Sequence, residues 1–547
     1  MAKSLVSSFA AHTLFGSNAI RYILLGTSIT LAISIRYLEL ARARGSSPPN
    51  VPGHWLFKNK KLLLSPWRAV VLAEKYVPKY GDIFQLSTIS RRVLVLNSLQ
   101  AVTEVLEKQA AATSDRPPNI MMFDLCELGL TATFRNQDEL QKKQRRVIAS
   151  ALHPAAARSY ATLHSATSAF FLRDLADRIN ALSNTEPAIT QSSHFDPLIA
   201  SIRDSIGRFI VQMTYGHVVA EDDPWLQRVR EQTSFMVSGL SKHYWVNDFP
   251  ILRYVPAWFP GAKFKRDAIQ YRERQAKIRA EPFELVLKNV VEGNVARPSY
   301  VSKLLELKSG ANASQDDLEL IKWTSQPMFT AGTATTVALI LSFFFMMSIH
   351  PEIASRVQAE IDTQVGRNRF PTLQDKDLMP YADAVLQEVI RHCPVAPFGF
   401  PHFTTKDIEV CGYNIKKGTT IEPNVWALMH EASTYPDPHS FNPDRFLKQT
   451  PDPDPRRFLF GFGRRVCPGQ HVADNGAFTT CAAFMSVFNI TAGEETMRAA
   501  DKHGKELWKM FTQYGAFHPQ PFACTVQPRD QAATALLERC KEIQAMD

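Results

Sequence analysis

Apolar positions recur at helical spacing through most of the chain between residues 137 and 350, whereas residues 56–115 mix helical pattern with short β-like runs such as Arg92–Leu96. Ser314 followed by Asp316 and Asp317 predicts a helix start, and His350-Pro351 predicts its end, because the residue before proline leaves the helical region. The stretch from Trp323 to Ile349 inside that helix carries no charge and is long enough to cross a bilayer. Its first half argues for another place. Thr324, Ser325, Gln326, Thr333, Thr335 and Thr336, with Pro327 and Gly332, suit a buried helix lining a cavity. A second patterned helix is predicted over Tyr381–His392. The class is mainly α with a small β part.

Nearer the amino terminus, Tyr22 to Ile35 is uncharged, and extension to Leu14 or Leu40 supplies the length of a single tilted span, with Arg21 or Arg36 snorkelling to an interface. Arg36, Arg42 and Arg44 place the bulk of the chain on the cytosolic side. Pro48, Pro49, Pro52 and Gly53 then resist both helix and sheet. The expected organisation is an anchor over 1–45, a proline-rich hinge over 46–55 and one large domain over 56–547. No repeat, charge block or Gly/Ser linker divides that last part.

Composition changes this picture little. With 45% hydrophobic and 21% charged residues among 547, the chain has ample material for a large core. Seven cysteines, an odd and scattered set without a CxxC pair, read as thiols in a reducing compartment. The net charge of +9, concentrated partly in Lys58, Lys60, Lys61, Lys142, Lys143, Arg145 and Arg146, suits an anionic neighbour such as a lipid surface or an acidic protein. No nucleic-acid motif accompanies it.

The strongest chemical signal is Phe460-Gly461-Phe462-Gly463-Arg464-Arg465-Val466-Cys467-Pro468-Gly469. A thiolate binds iron strongly and pushes electron density onto it. Gly463 and Gly469 allow tight turns and close backbone approach, Arg465 can neutralise a carboxylate, and Phe460 can shield the sulfur side. This segment resembles the cytochrome P-450 superfamily, whose signature Phe-x-x-Gly-x-Arg-x-Cys-x-Gly is matched at every fixed position. Glu388-Val389-Ile390-Arg391 and Pro443-Asp444-Arg445-Phe446 precede it in the family's order. The first pair shares a helix face and by itself reads equally as a surface ion pair. The resemblance continues through Gly412-Tyr413 and Lys417-Gly418 to Pro521-Phe522 and Pro528-Arg529.

The resemblance implies the cytochrome P-450 fold, a haem b whose iron is held by Cys467, and a structural triad of Glu388, Arg391 and Arg445. It assigns propionate contacts to Arg465, Arg145 and His402, with Gln141 standing where the family usually has tryptophan, and adds Phe460 and Gly469 to the haem site. Ala331-Gly332-Thr333-Ala334-Thr335-Thr336 is similar to the family's oxygen-activation groove, which makes Thr335 the catalytic, proton-delivering threonine; bonding back to its own helix is the plainer role. Ala334 stands where the family commonly has Asp or Glu. Implied substrate positions are Phe123, Leu125, Phe329, Ala331, Ala396 to Phe398, and Ala516 to Phe517, an apolar set.

The leading expectation is NADPH- and O2-dependent monooxygenation of a small lipophilic molecule. A flavin-bearing NADPH-cytochrome P-450 reductase supplies the electrons, and a monomer works on the cytosolic face of the endoplasmic reticulum. General similarity to fungal secondary-metabolism members suggests terpenoids or polyketides. Ala334 motivates a second reading, a haem-thiolate isomerase, dehydratase or peroxygenase that needs no reductase. A non-catalytic haem-binding membrane protein is the third.

Overall fold

The computed structural model describes residues 47–545 apart from 55–57, 89, 186–193, 221–222, 309 and 514. The expected membrane helix within 1–45 lies outside the described residues. The proline-rich stretch is partly described: Val51 is buried, its N–H donates to the Gln85 carbonyl (3.0 Å), and Gln85 donates to Pro49 (2.8 Å), which ties residues 49–51 to the edge of a sheet.

That sheet has four strands, β1 (Ile83–Ser87), β2 (Arg92–Leu96), β3 (His402–Phe403) and, after a separate hairpin of β4 (Ile408–Val410) and β5 (Tyr413–Ile415), β6 (Thr419–Pro423). Its order is β1-β2-β6-β3, with β2 parallel to β6 and the outer pairs antiparallel. Every residue of β6 is buried, Glu422 included.

The helical part contains, in chain order, α1 (Glu139–Leu152), α2 (Ala161–Thr185), α3 (Phe195–Tyr215), α4 (Pro224–Ser241), α5 (Lys263–Val291), α6 (Gln315–Ile349), α7 (Pro351–Gln364) and α8 (Pro380–His392). A short helix α9 (Arg456–Leu459) then leads into the cysteine segment, α10 (Gln470–Val487) leaves it, and β7 (Phe488–Ala492) pairs with β8 (Cys524–Pro528) before α11 (Gln531–Ala545).

Helix α6 is the axis of the fold. Ser314 caps it by accepting from the Asp317 N–H, and Asp316 and Asp317 sit in the first turn, where the helix dipole favours negative charge. It packs against α1, α3, α5, α8 and α10, and 83% of its most apolar window is buried. A helix apolar on all sides is stable in water only when surrounded in this way. Phe344 stacks between Phe171 of α2 and Phe484 of α10, with centroids 5.9 and 4.2 Å away. This places α2, α6 and α10 in one continuous core.

Candidate functional site

The segment joining α9 to α10 folds into a loop closed by the Cys467 N–H, which donates to the Phe460 carbonyl at 2.8 Å. Gly463 adopts φ +57°, and a Cβ there would collide with the Leu106 carbonyl oxygen, so only glycine fits. Gly469 has an ordinary φ; its contribution is a backbone N–H that bonds the Cys467 sulfur. The sulfur is accessible to a small probe, yet burial by surrounding protein pushes its thiol above the ordinary value, against the opposing pull of the Gly469 N–H and the Arg145 charge. Cys467 is thus an accessible residue with protein packed closely around its sulfur.

Cationic side chains gather beside it. Arg465 reaches across to Ser114, Ala132 and Arg135, donating to their carbonyls at 2.7, 3.0 and 2.6 Å. Arg145 of α1 donates to the Val466 carbonyl at 2.7 Å, which fixes α1 against the cysteine loop. Arg116, which sequence reasoning missed, donates to Thr133 (2.9 Å), Phe400 (3.1 Å) and Pro401 (2.6 Å). Its only sequence signal is being the one arginine between Arg92 and Arg135.

All these partners are backbone carbonyls, and the guanidiniums raise one another's cost. Burial and the neighbouring Arg465 and Arg145 hold Arg116 down to about 9; burial and Arg145 hold Arg465 down to about 10. His402, also buried, uses Nδ1 on the Thr113 carbonyl (3.0 Å), and is held down to about 3 by burial and Arg116. Buried positive charge without a carboxylate of its own is costly unless an anion completes it. The cluster therefore fits a dianionic edge, and the two propionates of a haem whose iron meets Cys467 are of that kind.

Along α6 between Thr324 and Ile349, Ala331 and Thr335 are exposed while their neighbours are buried or half-buried. Four residues apart, they share one helix face, an accessible strip on a helix otherwise packed by other elements. Thr335 Oγ1 donates to the Ala331 carbonyl at 3.0 Å, so its hydroxyl proton is held locally. Ala334 is half-buried, and no carboxylate lies between Trp323 and Ile349.

The expected substrate positions divide. Phe123, Leu125, Ala396, Phe398 and Ala516 are half-buried. Phe123 stacks on Phe134 at 4.9 Å, and the Arg68 guanidinium lies 4.3 Å over the Phe398 ring while pairing with Glu422 at 3.1 Å. Phe329, two residues from Ala331, points to the other side of α6 and packs edge-on to Tyr215; Phe517 is buried against Phe511 at 4.6 Å.

On α8, Glu388 accepts from Arg391 Nε and Nη2 at 2.7 and 2.8 Å and from Arg445 Nε at 3.1 Å, all three side chains being buried. The remaining guanidinium protons go to the carbonyls of Met429, Pro436, Pro438 and Ser440 and to Asp452.

The chain matches a family model described as cytochrome P450 over residues 48–511. It is 32% identical to cytochrome P450 monooxygenase 208 of Postia placenta, over 91% of this chain and 94% of that one. It is 30% identical to the monooxygenase claR of Ampulloclitocybe clavipes, over 93% and 92% of the two chains. With tryptamine 4-monooxygenase of Psilocybe cyanescens it shares 31% identity over 93% of this chain and 98% of the relative.

Proposed function

Because the chain belongs to the cytochrome P450 family and is an oxygen-incorporating haem-thiolate monooxygenase, we propose that it acts on a small lipophilic metabolite with electrons drawn from NADPH through a flavin reductase. The observation that carries this reading is the gathering of the Arg116, Arg145 and Arg465 guanidiniums beside Cys467, the first and last of them buried; the accessible face of Ala331 and Thr335 on α6 supports it. When bound, the haem supplies the activation of dioxygen and the transfer of one oxygen atom.

The chain's own residues do the rest. Arg116, Arg145 and Arg465 would hold the anionic edge of the cofactor, whereas His402, a neutral ring whose one N–H is spent on the Thr113 carbonyl, has no second proton to offer it. Ala331 leaves space beside the cofactor, and Thr335, with water and Thr336, hands protons into the site in place of a carboxylate. Half-buried Phe123, Leu125, Ala396, Phe398 and Ala516 offer apolar walls, which favours lipophilic substrates such as terpenoids and polyketides. The relative named for tryptamine adds aryl-alkylamines to the candidates.

A membrane location is part of the proposal. Ile251, Tyr254 and Trp258 are 72, 73 and 79% exposed, with Trp245, Phe249 and Phe259 exposed beside them, and Lys263, Lys265 and Arg266 follow in the chain. An exposed aromatic stretch next to cations suits a bilayer interface, in keeping with the anchor expected over 1–45 and a cytosolic orientation on the endoplasmic reticulum.

The absence of an acid at Ala334 favours one rival, a peroxygenase, isomerase or dehydratase that needs no reductase. Turnover of an apolar and aryl-alkylamine substrate panel, read by mass spectrometry with reductase and NADPH or with peroxide alone, separates the two. Reductase-dependent hydroxylated products are expected. Strictly peroxide-driven or redox-neutral product formation would overturn the proposal.

A further inference from the structure

The chain on either side of the cysteine loop is held by charge. Arg456, in the helix α9 that leads into the loop, donates Nε to Asp474 Oδ1 at 2.6 Å and Nη1 to Asp383 Oδ2 at 3.2 Å. Asp474 lies on α10, which leaves the loop, and Asp383 lies in the first turn of α8, the helix that also carries Glu388 and Arg391. Lys376 closes the figure, with Nζ 2.6 Å from Asp474 and 3.2 Å from Asp383. Each carboxylate thus meets both cations and each cation both carboxylates, a ring of two positive and two negative charges, to which the more exposed Asp454 adds a third carboxylate on Arg456 at 3.3 Å.

The four side chains are 15 to 20% exposed. Burial alone would lower the Arg456 guanidinium, but Asp474 and Asp383 outweigh that and hold it well above its ordinary value. Lys376 also lies 5.1 Å from the centroid of Phe478, a buried ring of α10. Exposed ion pairs would contribute little; a mostly buried network differs, because removing one member leaves unmatched charge behind.

Its placement gives the ring a function. Inside the loop the backbone bonds are Cys467 to Phe460, Arg465 to Phe462 and Val466 to Gly463, and the Arg465 and Arg145 side chains tie its middle to other segments. Those bonds leave its two ends to be held separately, so the position of the sulfur depends also on where α9 ends and α10 begins. A sub-ångström shift at a ligand matters to its chemistry far more than to fold stability. We propose that Lys376, Asp383, Arg456 and Asp474 form an ionic ring that clamps both ends of the cysteine loop to α8 and so positions the Cys467 sulfur for the iron. The four are positioning residues, and the proposal rests on Cys467 being the iron ligand.

The test uses purified haem-loaded protein and the Soret band of its reduced, carbon-monoxide-treated form. Wild type is expected to show the thiolate-type band; its failure to do so removes the Cys467 assignment, not the ring. Arg456→Leu is expected to convert part of that band to the thiol type and to speed haem release to an excess scavenging globin about tenfold. Arg456→Lys, which keeps the charge, should recover most of the band. Asp362→Asn is the control, because it breaks a comparable pair with Arg529 (2.7 Å) away from the loop. It should lower the melting temperature and leave the band intact. If Arg456→Leu fails to accumulate, Asp474→Asn decides by the same readouts. An unchanged band and release rate, or equal loss in Asp362→Asn at matched melting temperature, would overturn the ring.

Discussion

His164 shows how a single buried group sets a pH response. Its imidazole stacks on Phe209 with centroids 4.1 Å apart, its Nε2 has no hydrogen-bond partner, and Gly476 of α10 lies so close that a Cβ there would come within 2.8 Å of its Cε1. Burial holds it down to about 3 from an ordinary value of 6.5. Between those values the unfolded chain binds a proton that the folded chain refuses. Stability therefore falls as pH drops through the window, by up to about 1.4 kcal/mol per pH unit from this one group, and levels out below the folded value. His164→Phe keeps the stacking and removes the proton. Melting temperatures from pH 7 down to pH 4 should fall less steeply in the variant, by one group's share, since His392 and His430 are also held low by burial and stay in place. Parallel acid limbs would sink the idea. The same residue scale shows what sequence could reveal of the site. The cysteine loop was legible because its glycines, arginine and sulfur are near neighbours in the chain. Arg116 was not, since its meaning comes from Arg465 and Arg145, which only folding brings beside it.

Among elements, α8 joins two ionic networks, with Asp383 in its first turn and the Glu388–Arg391 pair near its end. Glu388→Gln would leave the buried Arg391 and Arg445 guanidiniums facing a neutral amide. Breaking a buried pair in this way costs about 3–5 kcal/mol, a large share of the ~5–15 kcal/mol that holds a domain together. The urea midpoint should drop accordingly, and Glu388→Asp, which keeps the charge on a shorter stem, should restore part of it. A Glu388→Gln midpoint close to wild type would show that the carbonyls of Met429, Pro438 and Ser440 suffice alone. Elements with a local signal were readable beforehand: Ser314 and the two aspartates mark α6, and the β-like run Arg92–Leu96 is a strand. The helix expected over Tyr381–His392 begins one residue earlier, at Pro380, where the first helical position needs no N–H. Strand β6 was harder to see. Thr419-Thr420-Ile421-Glu422-Pro423 looks polar, yet it is buried between β2 and β3, with Glu422 paired to Arg68; a charge matched by a distant residue hides a core strand from any local pattern.

For the whole molecule, the net charge of +9 becomes meaningful once its placement is known. Helix α1 presents Lys143 and Arg146 to solvent while its Arg145 turns inward to the Val466 carbonyl, and Arg464 of the cysteine loop is exposed, donating to Gln137 at 3.0 Å. This basic surface therefore lies over the sulfur side of the site, the shortest route by which electrons from an acidic protein would arrive. Opposite charge steers encounter and raises the association rate, and the effect fades as salt shortens the Debye length from ~30 Å at 0.01 M to ~10 Å at 0.1 M. Lys142 is already matched by Glu139 at 2.6 Å, so Lys143 and Arg146 are the better targets. The double variant Lys143→Glu and Arg146→Glu should slow stopped-flow reduction by the reductase about tenfold or more at low salt and much less at high salt. Peroxide-supported turnover and the Soret spectrum should not change, because both side chains face solvent. Reduction rates equal to wild type at every salt concentration would move the docking surface elsewhere and leave the charge as a solvated face.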